Sequence, residues 1–462
     1  METATMDAPP PVITPPVAPP VAATAQPPSA AWPAWPLWQR VLFRLVFAYM
    51  ILQTAPWNWL SPIPGAQYLL QPLRMGINWA VHFANDNVFH LYDKLVPVNG
   101  SGDTSWAWTQ MWMYMSIAAI ACVVWSVADW KRPHYRRLNY WFRLALRFYI
   151  ASAALSYGII KLYAMQMVFP STSQLATPLG DLLPMRFSWL FIGYSLPYQM
   201  FSGVMETTAG LLLLHRRTVT AGLFAATGAF INVVMINLSY DVPVKLYSSH
   251  LLLSCIILLT MDSPRLINLL VLNRPTPATR AWDHFWTKPW QVWGGRVVWV
   301  MVTWTILVSP LMNGYTRYKV ANAPPIAGPL KAGVYDVKSY VVNKTPVPLT
   351  VGDTLRWKDV IIDSYTAASV GTGDQVFQRR YGRGYFRYKP DTATRMAAVW
   401  KTSTIPGDST FLFTMRYEVP DSSTIRLHTV IRGDSIHVEL VRTNKKFQLA
   451  ERQFHWLSEY NR

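Results

Sequence analysis

The chain has 462 residues, of which 51% are hydrophobic and only 14% are charged. This balance excludes an ordinary soluble protein of that length and predicts an integral membrane protein whose main partner is the lipid bilayer. The formal net charge of +18 does not call for a nucleic-acid partner, because much of the excess lies in short loops between apolar runs, where the positive-inside rule accounts for it.

The chain begins with a Pro/Ala-rich tract over residues 1–36, which predicts a disordered tail because proline cannot continue a helix or a sheet ladder. Residues 37–320 then predict an α-helical polytopic membrane bundle of about seven spans. Residues 66–95 predict an interfacial helix, followed by the glycine turn NGSGDT, and 170–189 predict an outer, partly re-entrant loop. The predicted spans cover 37–57, 106–129, 141–167, 197–214, 219–240, 246–261 and 297–312.

Basic residues predict how this bundle is oriented. Arg40 and Arg44 lie at the start of the first span, and the segments WKRPHYRR, HRRT and 262–296 follow later ones. The positive-inside rule then puts the N-terminus in the cytoplasm and the chain in a bacterial inner membrane as a multi-pass protein. An odd number of spans predicts that everything after residue 328 is extracytoplasmic.

Residues 328–462 have a different character. Runs such as TIRLHTVIRG and SIHVELVRT alternate apolar and polar residues and are separated by turn formers. This period of two predicts a C-terminal antiparallel β domain, either a small sheet or a barrel, with RGDS at 432–435 as a hairpin turn. We expect that domain to offer a surface to a substrate or to an extracytoplasmic protein partner.

The stretch 141–262 contains ionisable residues within apolar runs. A charged group at the bilayer centre costs roughly 2.5 to 3.5 kcal/mol on insertion scales, so each needs a partner or a function. From their depth along their helices, Lys161 and Glu206 could reach each other, whereas Arg147, which enters from the opposite face, is the alternative partner for Glu206.

Two interpretations of these polar groups remain open. In one, they line an outward-opening pocket for a quinone headgroup or another small substrate. The catalytic residues of that pocket would be Lys161, Glu206 and His250, and the substrate-binding residues would be Asn237, Asp241, Lys245 and Arg147. In the other interpretation, these residues are structural pairs that lock the helices together.

No metal site and no covalently bound cofactor are predicted. His82, His90 and Asp93 include ligand-type side chains, but no pair of histidines has the i, i+4 spacing of a helical metal site. Haem is excluded because only His250 lies well within a predicted span, and axial ligation in a bundle usually takes facing histidines.

Three phrases, in order, resemble the bacterial DoxX family: GIIK at 158–161, ETTAGLLLLHRRT at 206–218 and DVPVK at 241–245. The resemblance implies a DoxX-like four-helix core over about 141–262, in a larger form with additional spans and a C-terminal soluble domain. Because the family takes its name from a subunit of a thiosulfate to quinone oxidoreductase, it also implies a quinone-linked redox role. The alternative is a non-catalytic accessory or scaffold membrane protein.

Overall fold

The computed structural model describes residues 34–61, 63–98, 102–277, 279, 286, 288–324, 328–350, 356–364, 366–402, 410–452 and 456–457. The predicted disordered tail lies outside the described residues except for its last three positions. Most of the glycine turn before residue 103 lies outside them as well.

Helices form the first part of the described chain. Their starts follow local capping rules: the Thr104 hydroxyl accepts the Ala107 N–H at the start of α3, and Ser195 does the same for Tyr198 at the start of α7. The bounds are α1 (Leu37–Thr54), α2 (Ala66–Ala84), α3 (Ser105–Ala128), α4 (Arg136–Leu162), α5 (Thr172–Leu175), α6 (Pro184–Tyr194), α7 (Leu196–Leu214), α8 (Val219–Ser239), α9 (Lys245–Thr260), α10 (Ser263–Leu270), α11 (Pro289–Thr303) and α12 (Ser309–Ala321).

The predicted count of about seven spans is wrong. Among the described residues, four helical segments are long and apolar enough to cross a membrane. A fifth arises only if α9 and α10, which are bent by 76° at their junction, count as one span. The four are Ser105–Ala128, Arg136–Leu162, Val219–Ser239 and Pro289–Ala321, the last of which joins α11 to α12.

The overcount has a physical reason. The helix α1 carries Arg40 and Arg44, and α7 carries Gln199 and Glu206, so polar residues dilute both apolar runs. The helix α9 has only 16 residues, or about 24 Å at 1.5 Å per residue, which is short for a hydrocarbon core of about 30 Å. An apolar run in the sequence is therefore not the same as a spanning helix.

The helices α4, α7, α8 and α9 pack against one another in that order, and α9 returns to contact α4. The centre of this group is aliphatic, with Leu146, Ile150 and Leu155 fully buried. The outer surfaces of α3 and of the α11–α12 segment keep most of their large apolar side chains exposed. Such surfaces suit contact with lipid, and the four apolar helices are consistent with a membrane protein.

The predicted C-terminal antiparallel β domain is present, and it is a closed barrel of eight strands. Each strand from β3 onward pairs with its sequence neighbour, β1 pairs with β3, and β9 closes the ring on β1. The short β2 only extends β1. The bounds are β1 (Gly333–Val342), β2 (Thr345–Pro346), β3 (Trp357–Ser364), β4 (Ala367–Thr372), β5 (Gly384–Asp391), β6 (Met396–Lys401), β7 (Phe411–Glu418), β8 (Thr424–Ile431) and β9 (Asp434–Thr443), with α13 (Gln375–Tyr381) between β4 and β5 and α14 (Gln448–Glu451) after β9.

The predicted hairpin at RGDS joins β8 to β9. Ile431 pairs with Asp434, which leaves Arg432 and Gly433 as a two-residue loop. Both have positive φ, 56° and 93°, as a type I′ turn requires. The turn geometry matches the right-handed twist of the strands and so sets the register between β8 and β9.

Candidate functional site

Lys161 and Glu206 form an ion pair between α4 and α7. Their side chains are only 8% and 4% exposed, so the pair lies inside the helical bundle. The Lys161 ammonium donates to Glu206 Oε1, whereas Glu206 Oε2 is buried and has no hydrogen-bond partner among the described residues. Of the two partners considered for Glu206 from the sequence, the structure brings Lys161 to it.

Glycines let α4 and α7 approach closely enough for this pair. A Cβ built on Gly158 would lie 2.6 Å from the Thr207 backbone nitrogen, and one on Gly203 would lie 2.9 Å from Lys161 Cβ. Real side chains do not tolerate such distances, so the crossing requires glycine on both helices. Close helix pairs of this kind gain van der Waals contact in lipid, where apolar surface alone gives little drive for association.

A group of tyrosines lies beside the ion pair, and the sequence reasoning missed it. The ring of Tyr247 on α9 has its centroid 6.2 Å from those of Tyr149 and Tyr157 on α4. Tyr157 lies one turn before Lys161 and interacts electrostatically with Glu206, yet it is 38% exposed. The signal that could have found the group is the spacing of eight between Tyr149 and Tyr157, which puts both on similar sides of one helix.

Arg147 lies away from Glu206. Its Nε and Nη2 donate to the carbonyls of Leu213 and Leu214 at 2.5 and 2.6 Å, at the C-terminus of α7. A cation at this position satisfies carbonyls that have no partner within their helix and matches the negative end of the helix dipole. The predicted substrate-binding arginine therefore has a structural role in the observed contacts.

The same arrangement recurs at two other helix ends. Arg143 donates to the Met261 carbonyl at the end of α9, and Arg44 donates to the Asp129 carbonyl at the end of α3. The charges that stood out in the apolar runs thus include three that cap neighbouring helices.

His250 is buried and fully hydrogen-bonded. Its Nδ1 lies 2.6 Å from the Leu246 carbonyl, and its Nε2 lies 2.6 Å from the Tyr49 hydroxyl. A carbonyl can only accept, so Nδ1 donates to it, and in the neutral imidazole Nε2 then accepts from Tyr49. The contact with Tyr49 joins α1 to α9.

Asn237, Asp241 and Lys245 lie together at the turn between α8 and α9. Asn237 Nδ2 donates to Ser248 Oγ at 2.9 Å, and Lys245 pairs with Asp241 at 2.7 Å, with the Asp241 side chain 83% exposed. Their contacts are local to the turn.

Asp103, which the sequence reasoning passed over, completes this turn. Its two carboxylate oxygens accept the backbone N–H groups of Lys245 and Leu246 at 2.5 and 3.0 Å. It thereby caps α9 from a distant loop, as anions at helix N-termini do. No local sequence signal connects Asp103 to the start of α9, because the two lie 142 positions apart.

The predicted site residues thus fall into separate groups rather than one. Lys161 pairs with Glu206, whereas the other predicted residues have partners at helix ends or within turns. None of them lines the cavities of about 680, 480 and 360 Å³ that the structure contains. Among the described residues, no group of three or more His, Cys, Asp or Glu side chains could hold a metal ion.

The loop that follows α4 attaches the helical part to the barrel. The Ser173 N–H and hydroxyl donate to the two oxygens of Asp363 on β3 at 2.9 and 2.5 Å. Ser369 on β4 lies 2.7 Å from the Ser173 hydroxyl and accepts from Arg383, which in turn pairs with Asp359. The predicted outer loop therefore makes the polar contact that joins the helical part of the chain to the barrel.

Comparison with known proteins finds a short match. Over 75 residues the chain is 40% identical to the uncharacterized protein YwoB of Bacillus subtilis (strain 168), which covers 16% of this chain and 49% of that protein. The chain thus spans about half the length of the curated relative that it matches. No family model matches the chain, and no solved structure matches it.

Proposed function

We propose that this chain is a DoxX-like membrane protein that handles quinone, with the buried Lys161–Glu206 pair as its proton-transfer group. The observation that carries the proposal is the carboxylate of Glu206: one oxygen accepts from the lysine, and the other is buried with no partner in the part of the chain that the structure describes. A buried group left short of a hydrogen bond is costly, and such costs are typical of sites where function requires them.

The Lys161–Glu206 pair has to supply only protons to the reaction. Reduction of a quinone to a hydroquinone takes two electrons, which a redox partner protein supplies, and two protons. The Lys161 ammonium can donate one proton to a quinone oxygen, which leaves a neutral amine. Water at the membrane surface then supplies a proton through the Glu206 carboxylate to restore the ammonium, and a second cycle of the same relay delivers the second proton. Ionisable groups within membrane helices are commonly proton relays of this kind.

Tyr157 indicates the route by which such a substrate would approach. It is 38% exposed and close enough to Glu206 to interact with it electrostatically. A quinone dissolved in the bilayer would contact the exposed part of this side chain. The packing of α4, α7, α8 and α9 supports a DoxX-like core, because these helices cover the stretch that resembles the family.

The second candidate function is a non-catalytic scaffold, and a specific observation favours it. Arg147, His250 and Asp241 all have partners that stabilise helix ends, turns or helix contacts. Under this alternative the Lys161–Glu206 pair only locks α4 to α7, and an apolar pair of similar volume could replace it without loss of stability.

Binding measurements on the purified protein distinguish the quinone-handling function from the scaffold function. We expect Glu206→Gln and Lys161→Met to remain folded and to lose binding of ubiquinone-1 and menadione, measured by calorimetric titration. Tyr157→Phe should weaken that binding, whereas Tyr149→Phe on the same helix should not. If the double substitution Lys161→Met with Glu206→Leu melts like wild type and binds quinone as well, the pair is structural and the redox proposal fails.

We further propose the bacterial inner membrane as the location, with the N-terminus in the cytoplasm and the barrel outside it. This rests on the positive-inside rule for the basic segment WKRPHYRR, to whose carbonyls Arg40 near the N-terminus donates. The apolar helix α4 then carries the chain from that side to the loop that contacts the barrel through Ser173 and Asp363. A C-terminal alkaline phosphatase fusion should then be active and a green fluorescent protein fusion dark; the reverse result contradicts this orientation.

A further inference from the structure

The barrel encloses a cavity of about 680 Å³. Small barrels of eight strands either fill their interior with side chains or hold one small ligand, and ligand pockets commonly measure 300–1,000 Å³. Here the inward-facing residues leave the interior open. The lining is mainly aliphatic and aromatic, and includes Trp357, Val370, Phe386, Val399, Phe413 and Leu440.

One end of the cavity is basic. Lys401 at the end of β6 and Arg432 in the β8–β9 turn both line the cavity and are exposed. Antiparallel pairing puts these two residues at the same end of the barrel. No Asp or Glu is among the lining residues in the described part of the chain. Arg383 also lines the cavity, but its charge is engaged by Asp359.

The small helix α13 lies at this same end, because it connects β4 to β5. Its Phe377 and Tyr381 contribute to the lining. The cavity is therefore an apolar interior with aromatic side chains and two cations near its mouth. That combination matches a molecule with a long hydrocarbon body and an anionic head, and a chain with apolar spanning helices has lipid close at hand.

We propose that the barrel binds one long-chain fatty acid, with its hydrocarbon chain in the cavity and its carboxylate near Lys401 and Arg432. This site is independent of the Lys161–Glu206 pair. Glu206→Gln should therefore leave fatty-acid binding unchanged.

The first test fills the cavity. Full-length protein is delipidated, held in amphipol and titrated with cis-parinaric acid, whose fluorescence rises on entering an apolar site. Ala368 is buried on β4 and pairs with the cavity-lining residues Ile362 and Phe386, so Ala368→Phe should weaken binding at least tenfold. Ala398→Phe is the matched control, because its neighbours Lys389 and Thr414 are exposed on the outside of the barrel.

The second test uses only exposed side chains and does not disturb the core. Lys401→Glu combined with Arg432→Glu should weaken binding of the acid about tenfold and leave binding of its methyl ester unchanged. Lys389→Glu, on the outer face of β5, should affect neither. This arm stays informative if Ala368→Phe does not fold.

The outcomes are distinct. Saturable binding of one molecule per chain that follows both patterns supports the site. Wild-type affinity in a folded Ala368→Phe variant overturns the interior location. Equal binding of acid and ester, with no effect of the rim substitutions, overturns the fatty acid as the ligand and assigns the cavity to a neutral apolar molecule.

Discussion

Replacement of Gly158 by alanine should destabilise the helical bundle. The new Cβ would lie 2.5 Å from Thr207 Oγ1, 2.6 Å from the Thr207 nitrogen and 3.0 Å from the Gly203 carbonyl oxygen. The hydroxyl can rotate away, but the other two atoms belong to the backbone of α7. The helices must therefore separate at the crossing that holds the Lys161–Glu206 pair.

The size of the effect follows from two opposing terms. Overpacking a filled core costs typically about 1 to 3 kcal/mol, and alanine gains roughly 0.8 to 1.0 kcal/mol over glycine in a helix. Gly228 on α8 is the matched control, because a Cβ there meets no atom within 4 Å. Both variants share the helix gain, so they should differ by about 1 to 3 kcal/mol, with Gly158→Ala the less stable.

The assay is thermal unfolding of the purified variants in detergent, followed by helical circular dichroism. Gly158→Ala should melt below wild type or near it, and clearly below Gly228→Ala. If the two variants melt together, the helices are not in hard contact at Gly158. A glycine-dependent crossing would then be refuted as the reason that Lys161 approaches Glu206 so closely.

Further predictions concern a helix cap, the contact between the two parts and acid stability. Arg147→Leu removes two hydrogen bonds from a charged donor, each worth about 1.5 to 3 kcal/mol, so the melting temperature should fall. The protein that remains folded should still bind quinone. Loss of quinone binding without any fall in melting temperature would contradict the capping role. Asp363→Ala should speed amide hydrogen exchange at Ser173 and leave exchange of the inward residues of the barrel unchanged; an unchanged rate at Ser173 would count against that contact. Hydrogen bonds from the Ser423 side chain and backbone lower the pKa of Asp421 from 3.8 to about 2. A carboxyl whose pKa is lower in the folded state stabilises the fold at pH values above its unfolded pKa, and that stabilisation is lost as the pH falls through its folded pKa. The melting temperature of the barrel should therefore drop between about pH 4 and pH 2, and Asp421→Asn should make this drop smaller. Identical melting profiles of wild type and variant in acid would contradict the assignment.

Local pattern was enough to predict the β domain, because alternation in runs such as SIHVELVRT shows which side chains face inward. It left open whether the strands form an open sheet or a closed barrel. Closure depends on pairing β1 with β9, for example Tyr340 with Val438, and such contacts between distant segments leave no periodic signal in either strand.

The span count failed for a related reason. Hydropathy measures how apolar a segment is, whereas a span also needs an unbroken helix of sufficient length. The predicted span 246–261 already had the 16-residue length of α9, which is short for a crossing and ends where the chain bends by 76°.

By itself, the sequence determined a helical part with polar groups inside apolar runs and a C-terminal β part, and it narrowed the partner of Glu206 to Lys161 or Arg147, because composition, periodicity and helical rise are local properties. Only the tertiary structure decided the partners of the remaining charges. Arg147 binds carbonyls of α7, and Asp103 caps α9 from another loop. Backbone groups are the same in every residue, so the identity of a side chain cannot show which helix end it will meet. The same holds for the barrel cavity, whose volume exists only once eight strands close around it.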